Sequence, residues 1–203
     1  GGEIERIFIP TFKFFFILSL PIMVFGFLYA TPIMTLLFTD TFARSGACLQ
    51  ILIWGTFFVF VELLMSHSLI ATGHQRALFM ANGSCLAVNF IIDVILIKYF
   101  HMGAIGASIG TMTAYATLFC VLLFHLRKTV SLRKMVQQIP KPFLTALLCG
   151  LLFYPLRNYV WYLMVPLGFI VYITILFASS TFSEKEIQMF KGLARPPGPP
   201  RTI

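Results

Sequence analysis

Long apolar runs separated by short polar turns dominate the chain, and their lengths predict helices that cross a membrane. The first run, Phe14 to Phe38, holds Pro21, Gly26 and Pro32 and is long enough to span even when kinked. A polar turn, TDTFARSG, leads to a second run, Ala47 to Ala71, and the turn TGHQR leads to a third, Leu78 to Phe100. About 23 residues at ~1.5 Å rise cover a ~30 Å hydrocarbon core, so this third run is read as a complete span. A fourth extends from about Ala104 to Leu126. The last apolar region, Phe143 to Ser179, is broken by PLRN at Pro155 to Asn158 and reads as a helical hairpin with a short first arm. Tyr154, Tyr159, Trp161 and Tyr162 cluster at its turn, as amphipathic rings do at a headgroup interface. The expected fold class is an all-α integral membrane protein of about six transmembrane helices.

Polar residues inside these runs are the candidate chemistry. Asn82, Asn89 and Asp93 are spaced by seven and four, which puts them within about 40° of one another on the third helix. An ionisable group in hydrocarbon is costly, so the stripe should face other helices, water or an ion. The following segment, GAIGASIGT, is rich in small residues, and Gly106 with Gly110 forms a Gly-x3-Gly pair that lets two helices approach closely. Asp93 and Thr111 lie at matching depth, roughly 10 Å from the shared hairpin turn, so they can face each other. Hard oxygen donors from a carboxylate, an amide and a hydroxyl suit a small hard cation. An inter-helix hydrogen-bond cluster that only holds the hairpin together would use the same residues. Glu62, near the middle of the second span with Ser66 one turn on, is either a pathway group or a carboxylate neutralised by a hidden partner. Pro21 leaves the Ile17 carbonyl without its usual donor, a break that makes a hinge or a polar lining, unless the proline serves packing alone.

Composition confirms the class: 59% hydrophobic and 11% charged residues, against the roughly 25% charged of a soluble domain. The start GGEIERIFIP lacks an initiating Met and a cleavable signal pattern, so a piece of a longer chain is expected. Cys48, Cys85, Cys120 and Cys149 sit at no metal-ligand spacing and read as buried, reduced thiols; no metal site is expected. Six spans put Arg44, Lys98 and Arg157 on one side and the other twelve of the 15 Lys and Arg opposite. Both termini are therefore expected in the cytoplasm. The basic segment from Arg127 to Lys141 suits nucleic acid or anionic lipid in isolation; beside membrane spans it reads as a cytoplasmic loop. The expected organisation is four spans over 1–128, the basic loop over 129–141, an additional hairpin over 142–180 and a cytoplasmic tail over 181–203. That tail opens at Ser183 with a helix-start pattern and ends in a Pro-rich segment expected to be disordered.

In order, LPIMVFGFLYATPIMTLLFTD, LIATGHQR, VNFIIDVILIKYF and GAIGASIGT resemble the C-terminal half of bacterial polysaccharide flippases. These belong to the multidrug/oligosaccharidyl-lipid/polysaccharide (MOP) exporter superfamily. The resemblance covers roughly Ile9 to Lys128, and the last helical pair matches the fourteen-helix members, so the chain would supply helices nine to fourteen. It implies a transporter of lipid-linked saccharides with two six-helix lobes that alternate between inward-open and outward-open states. Odd-numbered helices in that fold leave the cytoplasm, in agreement with the charge bias. Some relatives hold a sodium ion in the second lobe through an Asn and an Asp one turn apart on the eleventh helix and a Thr on the twelfth. Asn89, Asp93 and Thr111 match those positions; the acidic ligand of the seventh helix has no counterpart in this chain.

The resemblance thus implies a flippase in the cytoplasmic membrane for cell-envelope assembly, coupled to Na+, H+ or membrane potential and needing no other cofactor. Its partners would be the lipid-linked saccharide, membrane lipids and the N-terminal half of the same protein. A multidrug or metabolite cation antiporter shares the fold and stays open, because function resides in the cavity residues. A membrane enzyme is disfavoured. None of His67, His74, His101 and His125 has an acid five positions on, and there is no Asp-x-Asp or paired loop carboxylates, so no catalytic residue is assigned. The topology is testable by labelling: a Cys placed at Ser45 should react with an impermeant reagent in intact cells and one at Thr129 should be protected. The opposite pattern would invert the orientation.

Overall fold

The computed structural model describes residues 2–127, 129–156 and 161–179. Lys128, Arg157, Asn158, Tyr159 and the whole tail, including the helix start expected at Ser183, lie outside them. The helices are α1 (Gly2–Leu28), α2 (Ala30–Phe38), α3 (Gly46–Leu52), α4 (Gly55–Ala71), α5 (Gln75–Asp93), α6 (Gly103–Leu126), α7 (Leu132–Gln137), α8 (Pro140–Phe153) and α9 (Trp161–Ala178). A 3-10 turn, Asp40–Ser45, precedes α3, and a π-helical segment, Val94–Tyr99, follows α5. Among the described residues, five helical stretches are long and apolar enough to cross a membrane, and a bent pair, Asp40–Leu52 with Gly55–Ala71, makes up to six.

Three spans differ from the sequence expectation, one of them in that its stretch, Leu132–Phe153, begins within the segment 129–141 expected to be a basic loop. The first does not run from Phe14 to Phe38: its membrane-length stretch is Ile4–Leu28, and the chain breaks at Tyr29 before restarting as α2. The restart places Pro32 in the first turn of α2, where no backbone donor is required. The second span is bent by 45° between Leu52 and Gly55. Gly55 allows α6 to press against the bend, since a Cβ there would meet the Tyr115 ring and Met112 sulfur at 3.3 Å.

The hub is α1. Half of its apolar stretch is buried, against 6% of Gln75–Tyr99. Phe8 and Phe12 pack with Val61, Met65 and Leu69 of α4 and with Leu118 and Leu122 of α6. Phe16, Ile17 and Leu20 pack with Cys149 of α8 and Tyr172 and Leu176 of α9. Phe25 and Tyr29 close the far end against Phe153. The sequence places a Phe every fourth residue along one face of α1, and those rings form a ladder: Phe8 to Phe12 at 6.4 Å and Phe12 to Phe16 at 6.2 Å. Phe57 of α4 meets Phe16 edge-on at 5.6 Å. Each buried ring removes enough apolar surface to contribute on the order of 2 kcal/mol against water; in a bilayer the gain is close packing instead.

The basic loop is docked rather than free. Val130 and Met135 are buried in the α1–α4–α6 core, and Lys134 Nζ lies 2.8 Å from the Glu5 carboxylate at the start of α1. That pair places the start of α1 and the basic loop at one end of the bundle; with Lys134 61% exposed it contributes at most about 1 kcal/mol. Among the cysteines only Cys149 is buried; Cys48 and Cys85 are half-buried and Cys120 is exposed on α6, so the expectation of four buried thiols fails there.

The α9 contact depends on Gly168, where any Cβ would overlap the Phe25 ring. Gly168→Val should lower the thermal stability of the purified protein by about 1–3 kcal/mol. Phe25→Leu, which shortens the opposing side chain, should recover part of that loss.

Candidate functional site

Helix α5 packs tightly on α6, and small residues make the approach possible. Gly106, Gly110 and Ala114 follow one another at every fourth position on the buried face of α6. Leu96 lies over Gly106, where a Cβ would come within 3.0 Å of its own Cβ. Asp93 lies over Gly110, and its carboxylate oxygen Oδ1 occupies the space that a Cβ on residue 110 would take. That oxygen is buried and has no hydrogen-bond partner, while the residue as a whole is half-buried. Asp93 is also the last residue of α5 before the backbone widens into the π-helical segment, a local irregularity that often marks functional positions.

The other members of the predicted stripe are placed differently. Asn89 is half-buried one turn before Asp93. Asn82 is exposed and its amide donates to the Leu78 carbonyl at 2.9 Å, so the outer end of the stripe satisfies itself. Thr111 is not hydrogen-bonded to Asp93: its hydroxyl donates to the Ala107 carbonyl at 3.0 Å. Its side chain lines a groove of about 530 Å³ with Thr56 and Tyr115, at the bend between α3 and α4. The residue opposite Asp93 is therefore Gly110, one position away from the hydroxyl that depth-matching had selected.

Glu62 is half-buried on α4 and accepts a hydrogen bond of 3.3 Å from Ser66 one turn on. It lies within electrostatic reach of the Cys85 thiol on α5. Pro21 lies within α1, which stays helical from Gly2 to Leu28. The Tyr172 hydroxyl of α9 donates to the Ile17 carbonyl at 3.1 Å, the very acceptor that Pro21 leaves without an amide. Nothing in the spacing of Pro21 pointed to Tyr172, although a buried Tyr in the otherwise apolar last run needs an acceptor for its hydroxyl. Among the described residues no group of three or more His, Cys, Asp or Glu is placed to hold a metal ion.

The fold and these polar positions define a multi-pass helical membrane protein with an acidic side chain seated between two closely packed spans. Residues 3–95, somewhat under half of the chain, match the MatE family model. A solved structure described as the lipid II flippase MurJ in an inward closed conformation shares the fold with a TM-score of 0.73 at 21% identity. The match covers 95% of this chain and 40% of that one, so the chain spans well under half the length of the solved structure. At that identity the likeness is one of fold. No curated protein matches the chain significantly in sequence.

The seat at Gly110 makes a contrast within one hairpin. Gly110→Ala should push the Asp93 carboxylate off α6 and lower thermal stability by about 1–3 kcal/mol. Gly83→Ala, on α5 with nothing within 4 Å of its added Cβ, should be neutral or stabilising by up to about 1 kcal/mol through helix propensity. Equal effects of the two substitutions would mean that the Asp93 contact carries no weight.

Proposed function

We propose that the chain belongs to the second lobe of a transporter that flips lipid-linked oligosaccharide or polysaccharide precursors across the cytoplasmic membrane by alternating access. The observation that carries this reading is the MurJ-like fold over 95% of the chain, joined to the MatE match over residues 3–95. In this reading the four spans over 1–128 and the hairpin over 142–180 pack against the N-terminal half of the same protein, and both termini face the cytoplasm. No covalent chemistry is involved, so no side chain acts as a catalyst. The protein's task is to present a polar path to the saccharide while the lipid tail stays in hydrocarbon.

Coupling is assigned to the α5–α6 seam. Asp93 Oδ1 is an acceptor already stripped of water and of protein donors, and a cation is the partner that its charge lacks. Asn89, one turn earlier, brings an amide oxygen to the same face. These two fit a small hard cation such as Na+, or Asp93 alone a proton. Thr111, with its hydroxyl on Ala107, would join only after α6 turns toward α5. A ligand that binds one conformation better than the other shifts their balance by that difference, which is how a cation gradient would drive the cycle. A multidrug or metabolite cation antiporter is the second reading, favoured by two half-buried carboxylates, Glu62 and Asp93, in an otherwise apolar bundle.

The full-length protein in proteoliposomes separates these readings. A flippase moves a fluorescent lipid-linked oligosaccharide between leaflets in response to a Na+, H+ or electrical gradient and leaves a cationic dye untouched. Dye efflux without lipid movement would establish the antiporter instead. Asp93→Asn should fold normally and lose roughly tenfold in gradient dependence, a change of about 1.4 kcal/mol. Asp93→Leu should also destabilise the seam by about 1–3 kcal/mol by leaving polar neighbours unpaired. Unchanged gradient dependence in Asp93→Asn would reduce the seam to structural glue.

A further inference from the structure

Pro21 sits in the buried middle of the hub helix, and α9 touches α1 on both sides of it. Four residues before the proline, the Ile17 carbonyl has lost its normal amide partner and accepts the Tyr172 hydroxyl at 3.1 Å. Four residues after it, the Phe25 ring lies in the space left open by Gly168. The two contacts lie two turns apart on α1, at Ile17 and Phe25, and one turn apart on α9, at Tyr172 and Gly168, so the antiparallel helices meet on either side of Pro21. Tyr172 is 1% exposed, which removes water as a substitute donor. The neighbouring carbonyl is used as well: Ser19, fully buried, donates to the Phe16 oxygen at 2.9 Å.

We infer that the terminal hairpin is a clamp on the proline break of α1, with Tyr172 standing in for the amide that Pro21 lacks. A free carbonyl inside hydrocarbon is unfavourable, so α1 with Tyr172 withdrawn would bend or open at Ile17 until the oxygen found another donor. With Tyr172 in place the helix stays continuous from Gly2 to Leu28. The α8–α9 pair therefore sets how stiff the hub is, and α4 and α8, both packed on α1, feel that stiffness. This assigns the hairpin a role in conformational control that is independent of the substrate and of the Asp93 seat.

The test uses hydrogen exchange of the full-length protein in detergent micelles, followed in peptides that cover residues 14–28. Tyr172→Phe keeps the ring and its packing, so the protein folds, but removes the donor. Exchange in this stretch should become roughly five- to tenfold faster, as expected for loss of one buried hydrogen bond. Pro21→Ala restores an amide at position 21 that can donate to Ile17, so Tyr172→Phe added to Pro21→Ala should leave exchange at the Pro21→Ala rate. Wild-type exchange in Tyr172→Phe would overturn the clamp. So would an equal acceleration with Ala at position 21, which would show that the hydroxyl acts somewhere other than on the freed carbonyl.

Discussion

A chain this apolar has little water to complete its hydrogen bonds, and that constraint organises the structure. Hydroxyls along the spans turn back onto their own helices: Thr113 on Ile109, Thr117 on Thr113, Ser108 on Ala104. The orphan carbonyl of Ile17 is met across the helix interface by Tyr172. Against that background the buried Asp93 oxygen, without a donor, is an exception. The Tyr29 hydroxyl is likewise left open; Asp93 differs in carrying a charge, and it is there that a cation is proposed.

The same constraint explains the choice of residues around these two points. Close approach replaces the hydrophobic effect as the force between spans, and close approach needs glycine: Gly110 and Gly106 on α6 for α5, Gly168 on α9 for the Phe25 ring, Gly55 at the bend for α6. Around them, α1 supplies bulk, with its ladder of Phe rings filling the space between the α4–α6 group and the α8–α9 hairpin. The hub carries two internal prolines, Pro10 near its start and Pro21 in its buried middle, and α9 touches it on both sides of the second.

The spans, their order and the small-residue seam were legible from hydropathy and spacing, because a hydrocarbon core imposes length and apolarity on every crossing segment. Boundaries were harder. The apolar run taken from Phe14 leaves out Phe8 and Phe12, which are core residues, and Lys13 beside them is buried too. The bend after Leu52 has no proline to announce it. At the candidate site, Asp93 and the Gly106 to Gly110 surface were readable, but depth alone cannot fix the rotation of α6. One residue is about 100° of helix, enough to exchange Gly110 for Thr111 opposite the carboxylate. The Tyr172 contact joins residues 155 apart in sequence and lay beyond any local pattern.

The proposed coupling rests on Asp93 meeting a cation. Infrared difference spectroscopy of the full-length protein in lipid bilayers observes that carboxyl group directly. Addition of Na+ or a step to acid should produce a carboxylate or carboxyl band that is absent from Asp93→Asn and retained in Glu62→Gln. Identical difference spectra for wild type and Asp93→Asn under both conditions would contradict the cation seat and leave the α5–α6 seam a packing feature alone.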